Sequence, residues 1–143
     1  MSPLQYHSLV LKLLLILATN SLSCGAVQSG NSSSSLNDPR PTGPLMKQGQ
    51  FGGQNGQSVS GSALIFNNGP PNYIARLEGI STPNETGLQV WVMPLSGNAL
   101  LIAPLHGFSG NQNYNFSTST PTFTSVCIQS TQKNSFYGCA QLF

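Results

Sequence analysis

From Phe51 onward, short apolar runs alternate with clusters of Gly, Pro, Asn and Ser, and no stretch repeats its apolar residues at a helical period between caps. The runs predict strands at 62–66, 73–77, 88–93, 99–102, 114–116, 123–129 and 136–142. Turn chemistry separates them, as in Asn67-Asn68-Gly69-Pro70-Pro71 and the Gly-rich stretch 107–112. This spacing predicts an all-β domain over 51–143, a compact antiparallel β-sandwich, with a small barrel as the other all-β solution. In Leu88-Gln89-Val90-Trp91-Val92-Met93 the period of two puts Leu88, Val90 and Val92 on one face and Gln89, Trp91 and Met93 on the other. Trp91 then reads as a core or half-buried strand residue, with a ligand-stacking platform as the alternative. Arg76 and Glu78 share a face of their strand, and that face is expected to be solvated.

Upstream the pattern changes twice. Residues 24–50 carry Asn-Ser-Ser-Ser-Ser, prolines at 39, 41 and 44 and little to bury, which predicts a flexible, disordered linker. Residues 9–18 are apolar apart from Lys12, and small polar residues follow. That is the layout of a secretory signal peptide over 1–23, cleaved after Ser23 or as late as Ala26. The uncharged run is too short for a membrane span, so the mature chain is expected to be secreted and extracellular, without a transmembrane segment. Cleavage after Ala26 leaves two cysteines, Cys127 and Cys139; cleavage after Ser23 leaves Cys24 at the new terminus, free, intermolecular or lipidated. Asn31, Asn84 and Asn115 each open an Asn-X-Ser/Thr sequon, so all three are candidate glycosylation sites in a eukaryotic secretory pathway.

Charge narrows the function classes. Charged residues are 6% of the chain, against about 25% in an average protein. Beyond residue 23, four basic side chains face three acidic ones, a net of +1. Four dispersed cations do not make a nucleic-acid interface. Three acids are a thin supply for two-metal or paired-carboxylate hydrolysis. There is no Gly-x-Ser-x-Gly elbow and no phosphate-cradling lysine loop. One mature-chain histidine and two cysteines expected to be bridged make no zinc site, so no metal site is expected.

Two segments carry candidate chemistry. The first is the terminal hairpin, where Thr131-Gln132-Lys133-Asn134-Ser135 is a plausible reversal. Reflection about Lys133 places Cys127 opposite Cys139, Ile128 opposite Gly138 and Ser130 opposite Phe136. Directly opposed cysteines in an oxidising compartment predict a disulfide; a chemically active pair or a ligand-binding thiolate is the alternative. The second segment is 105–114, where His106, Phe108, Asn111, Gln112 and Tyr114 offer stacking and hydrogen-bonding groups on a Gly-rich connection. These are the candidate binding-loop residues for an extracellular protein or polysaccharide. The competing possibility is a tight turn whose side chains satisfy their own backbone.

Several pieces of 51–142, in order, resemble the electron-transfer DM-thirteen domain, the extracellular module found beside DOMON domains in Knickkopf-like and Skeletor-like proteins. They are Phe51-Gly52-Gly53, Gly61-Ser62-Ala63-Leu64-Ile65, Ala75-Arg76-Leu77-Glu78-Gly79-Ile80 and Thr86-Gly87-Leu88-Gln89-Val90-Trp91-Val92. Leu105-His106-Gly107-Phe108-Ser109-Gly110-Asn111-Gln112-Asn113-Tyr114, Ser125-Val126-Cys127-Ile128 and Tyr137-Gly138-Cys139-Ala140-Gln141-Leu142 complete the set. The family's Pro-Asp pair is missing before Leu88, and Val126 stands where it usually has Trp. The resemblance implies a β-sandwich and puts Cys127 at the family's near-constant cysteine, which makes Cys127 and Cys139 redox candidates; a bridge between them would alter or replace a free-thiol role. No cofactor is expected from the residues themselves; heme or another redox group is the alternative, for which His106 is the one mature-chain histidine and Met46 and Met93 are softer candidate ligands. Two functions remain open: a secreted binding or matrix-associated module with a cysteine-based redox role in addition, or an extracellular electron-transfer or thiol–disulfide protein.

Overall fold

The computed structural model describes residues 35–143. The expected signal peptide, Cys24, Asn31 and the first part of the expected linker lie outside the described residues. The described part is all strand: β1 (Leu36–Asn37), β2 (Leu45–Gly53), β3 (Ser60–Asn67), β4 (Asn72–Ser81), β5 (Leu88–Pro94), β6 (Leu100–Pro104), β7 (Ser109–Ser117), β8 (Phe123–Ser130) and β9 (Ser135–Gln141). They form one mixed sheet in the order β1-β7-β4-β3-β2-β9-β8-β5-β6, antiparallel throughout except for the β1–β7 pair. The all-β expectation holds, and the two layers of the expected sandwich are halves of a single curled sheet.

The joint between the halves is β2. Its first part pairs with β3, from Leu45↔Phe66 to Gln50↔Ser62, and its last three residues pair with β9, from Phe51↔Ala140 to Gly53↔Gly138. A strand that changes partner must bend, and residue 49 sits at the bend. A Cβ on Gly49 would lie 2.0 Å from the Gln141 carbonyl oxygen, so only glycine lets the end of β9 come this close. Beyond β9 the chain still follows β2, through Phe143 N–H to Gln48 O at 3.0 Å.

The halves face each other across one core. Ala63 and Ile65 of β3, Ala75 and Leu77 of β4, Val90 and Val92 of β5, and Val126 and Ile128 of β8 are all fully buried there. The faces expected for β5 hold, since Leu88, Val90 and Val92 all enter the core. Burying each of the valine, leucine and isoleucine side chains among these contributes about 1.5–3 kcal/mol. Tyr73 of β4, Phe116 of β7 and Phe123 of β8 bind the halves at one end, with ring centroids 5.4–5.7 Å apart.

Three expectations need correction. The folded unit does not begin at Phe51: β1 and most of β2 lie in the expected linker. Leu45 and Met46 at the start of β2 stay exposed, and these segments are held through backbone pairing and polar contacts instead. Strand β7 starts at Ser109, inside the stretch expected to be a turn; Gly110 has φ +100°, and a Cβ there would meet Leu36 O at 2.0 Å, so glycine admits β1 beside it. In the terminal hairpin Cys127↔Cys139 and Ile128↔Gly138 hold, but the register then shifts to Gln129↔Phe136 and Ser130↔Ser135. Tyr137 is the extra residue of that bulge, and its ring is fully buried in the core.

The bend makes a direct prediction. Gly49→Ala should cost about 2 kcal/mol or more, because backbone has to move to admit the methyl group. Gly52→Ala, at an exposed position with open space around it, should stay within about 0.5 kcal/mol. Chemical denaturation of the two variants checks this, and equal effects would contradict the close approach at residue 49.

Candidate functional site

The segment 105–114 turns Gln112 and Tyr114 inward. Gln112 is fully buried; its Nε2 donates to Gly107 O at 2.7 Å, and its Oε1 accepts from Gly107 N–H at 3.3 Å and from the Tyr114 hydroxyl. The Tyr114 oxygen in turn accepts the His106 N–H at 2.9 Å. Burial pushes the Tyr114 phenol up to about 12, against the lowering effect of the His106 N–H, so it remains a neutral donor at ordinary pH. Asn111 accepts from Gly79 N–H at 2.9 Å and donates to Asn37 Oδ1 at 2.8 Å, tying β1 to the bulge of β4. Phe108 packs against the core, and His106, the exposed member of the set, lies over Tyr114 with ring centroids 4.3 Å apart. Gln112, Tyr114 and Asn111 thus hydrogen-bond within the loop and to its neighbours.

The cysteines form a disulfide. Cys127 and Cys139 are direct partners on β8 and β9, with Cα atoms 4.1 Å apart and a formed S–S bond. The bond lies on the face away from the core, in a row that runs Leu101, Trp91, Cys127, Cys139, Gly52 across five strands. Cys127 is only 2% exposed, whereas Cys139 is half-buried with its sulfur 3.9 Å from Gln54 Oε1. Trp91 sits beside the bridge on that outer face, half-buried, and its indole N–H has no hydrogen-bond partner among the described residues. Asn84 and Asn115 are both exposed, Asn84 in a bend and Asn115 on β7. No group of three or more His, Cys, Asp or Glu among the described residues is placed to hold a metal ion. No helix among them is long and apolar enough to cross a membrane.

The face of Arg76 and Glu78, expected to be solvated, is covered at Arg76 and partly open at Glu78. Arg76 is 4% exposed; its Nε donates to Glu78 Oε1 at 2.8 Å, and its Nη1 reaches Asp38 O, Pro39 O and Asn113 Oδ1 at 2.8–3.1 Å. The Asp38 carboxylate accepts from Asn113 N–H at 2.8 Å, and Asn113 Nδ2 donates to Pro39 O at 2.7 Å. This network lays residues 38–40 over β4 and β7. It leaves Arg40 beside Glu78, Nε to Oε1 3.7 Å, with its guanidinium 5.7 Å from the centre of the Phe66 ring.

Next to that pair, where β2 leaves β3 for β9, the outer face holds a cleft of about 150 Å³. Its walls carry Arg40, Gln48, Gln50, Ser62, Glu78 and Phe143, and buried Leu64 closes its floor. Arg40, Gln48 and Gln50 fall within the expected linker and were not candidate site residues. The available signal was the alternation Lys47-Gln48-Gly49-Gln50-Phe51, in which polar side chains flank a glycine and a core aromatic at the period of a strand.

A second charged cluster fastens the terminal hairpin. Glu85 accepts from the Tyr137 hydroxyl at 2.6 Å, from Ser130 Oγ at 3.1 Å and from Lys133 Nζ at 3.1 Å. The Tyr137 hydrogen bond holds the Glu85 carboxyl below its ordinary value, with partial desolvation opposing it and Lys133 and Ser130 assisting. In comparisons with known proteins, no family model, no curated protein and no solved structure matches the chain.

The sign of the Glu85 shift sets a pH dependence. A carboxylate whose pKa is lower in the folded state stabilises fully above its ordinary value of 4.5 and loses that contribution as pH falls through the lower, folded value. The thermal midpoint should therefore decline below about pH 4.5, and Glu85→Gln should decline less over the same interval. Parallel midpoint–pH curves for the two proteins would rule out this assignment.

Proposed function

We infer that the mature protein is a secreted, extracellular binding or matrix-associated module rather than an enzyme, with Cys127–Cys139 as its structural staple. The single observation that carries this is the bridge itself. Both cysteines on which a thiol chemistry would draw are joined strand to strand, and one of them is buried. A disulfide suits an oxidising compartment, which agrees with the leader-like sequence over 1–23 and with the exposed sequons at Asn84 and Asn115. Gln112 and Tyr114 satisfy backbone groups within their own loop, which favours a scaffold over a reaction centre there.

A redox function is the second reading, and one observation favours it: the half-buried Cys139 end of the bridge faces outward. In that case the chain is a divergent relative of the DM-thirteen module, with Cys127 at that family's cysteine and its free thiol replaced by a dithiol couple with Cys139. Oxidation of the pair would release two electrons and two protons to an acceptor such as a partner disulfide.

Equilibration with glutathione buffers, followed by alkylation and intact-mass measurement, separates the two. A structural staple should have a reduction potential below about −300 mV, and a redox couple a higher one. With a staple, Cys127→Ala and Cys139→Ala should each lose about 2–3 kcal/mol of stability, because either variant removes the same cross-link. A potential above that limit would contradict the structural assignment and favour the redox one.

A further inference from the structure

We propose that the cleft at the bend of β2 is a binding subsite for one ring of a neutral saccharide; this rests on the binding-module function inferred above and names its site and ligand class. The proposal starts from what the walls still offer. Glu78 Oε1 is occupied by Arg76, but Glu78 Oε2 has no protein donor among the described residues. Arg40 touches Glu78 only through Nε, at 3.7 Å, so the outer nitrogens of its fork also have no protein acceptor among them. Gln48, Gln50 and Ser62 likewise make no side-chain hydrogen bond to another described residue and face the same cleft. Each amide adds a donor and an acceptor, and the serine hydroxyl is both.

The pattern of charge then selects the ligand. A phosphate, sulfate or carboxylate entering the cleft would meet the Glu78 carboxylate, and a cation would meet the Arg40 guanidinium. Neighbouring hydroxyl groups suit both at once, because each hydroxyl can accept from Arg40 and donate to Glu78. The Phe143 ring, 79% exposed at the rim, supplies the flat apolar surface against which the C–H face of a sugar ring packs. Size agrees: the 150 Å³ cleft is about half the lower limit of roughly 300 Å³ for pockets that enclose drug-sized ligands, which leaves room for a single ring. A peptide would find this cleft less suitable. It lies on the face of the sheet, where the main-chain groups of β2 and β3 are already paired with each other, so strand addition is closed to it.

Titration of the isotopically labelled, oxidised protein with cellohexaose, laminarihexaose, mannohexaose and chitohexaose tests this by amide chemical shifts. At least one of the four should shift Gln48, Gly49, Gln50 and Ser62 saturably at millimolar concentrations, about −4 kcal/mol of binding free energy. Gln50→Ala and Phe143→Ala alter exposed side chains, and each should weaken that binding at least five-fold while the thermal midpoint stays within a few degrees of the parent. Saccharide-induced shifts confined to another face would overturn the site but leave the binding-module function standing. A neutral Ser/Asn/Gly hexapeptide that shifts the cleft amides when no saccharide does would overturn the ligand class. No cleft shift with any probe at about 10 mM would overturn the proposal outright. The reduction potential of the Cys127–Cys139 pair judges the binding-module function independently of all these outcomes.

Discussion

The architecture depends on one residue without a side chain. At Gly49 the backbone of β2 and the carbonyl of Gln141 come too close for any Cβ, and this contact is what lets one strand serve both halves of the sheet. Were β2 to stay with β3 throughout, β9 would present an unpaired edge in the middle of the molecule, and an exposed edge invites pairing with other chains. Instead the ladder runs without a break from β1 to β6. Phe51, two residues past the bend, carries the same strand into the shared core. The aromatic contacts of Tyr73, Phe116 and Phe123 hold the halves together at a second place.

The bend also shapes the outer surface. The cleft beside Gln48 and Gln50 lies over the last stretch of β2 that still pairs with β3, just before the strand passes to β9. The few charges of the chain gather around it: of the seven charged side chains beyond residue 23, Asp38, Arg40, Arg76 and Glu78 belong to one network. Two of the others, Glu85 and Lys133, fasten the terminal hairpin. In a protein with so few charges these groups are anchors. Burying Arg76 is tolerable because its guanidinium is met by Glu78, Asn113 and two backbone carbonyls, and removing one of these acceptors would leave a buried cation partly unpaired. The segment 38–40 is thereby fixed as one wall of the cleft.

The parts of this structure that follow apolar alternation were legible in the sequence. Leu88, Val90 and Val92 could be assigned to the core face because a strand has a strict period of two. The Cys127–Cys139 pairing came out in register because a reversal centred on Lys133 absorbs the one residue that the Tyr137 bulge inserts between the turn and the bridge. The Tyr137 bulge was hidden: the demand that a large ring enter the core while its hydroxyl reaches Glu85 is a tertiary one. Strands β1 and β2 were hidden for a different reason. Residues 36–50 are polar and rich in Gly and Pro, and they are ordered by backbone pairing and by Arg76, a contact 37–38 residues away in sequence. Because Arg40, Gln48 and Gln50 belong to that segment, the cleft was hidden with it. In the segment 105–114 the polar residue types were visible, but the inward direction of Gln112 and Tyr114 was not.

The claim on which the fold and the cleft both rest is that β2 makes the two halves one cooperative unit. Native-state hydrogen–deuterium exchange, resolved to single amides over a series of low denaturant concentrations, measures this directly. The hydrogen-bonded amides of β2 on both sides of Gly49 should exchange only through global unfolding, with the same free energy and denaturant dependence as the slowest amides of β4 and β8. Separate opening free energies for the β3–β4–β7 and β5–β8–β9 halves, or unprotected exchange across residues 45–50, would contradict it.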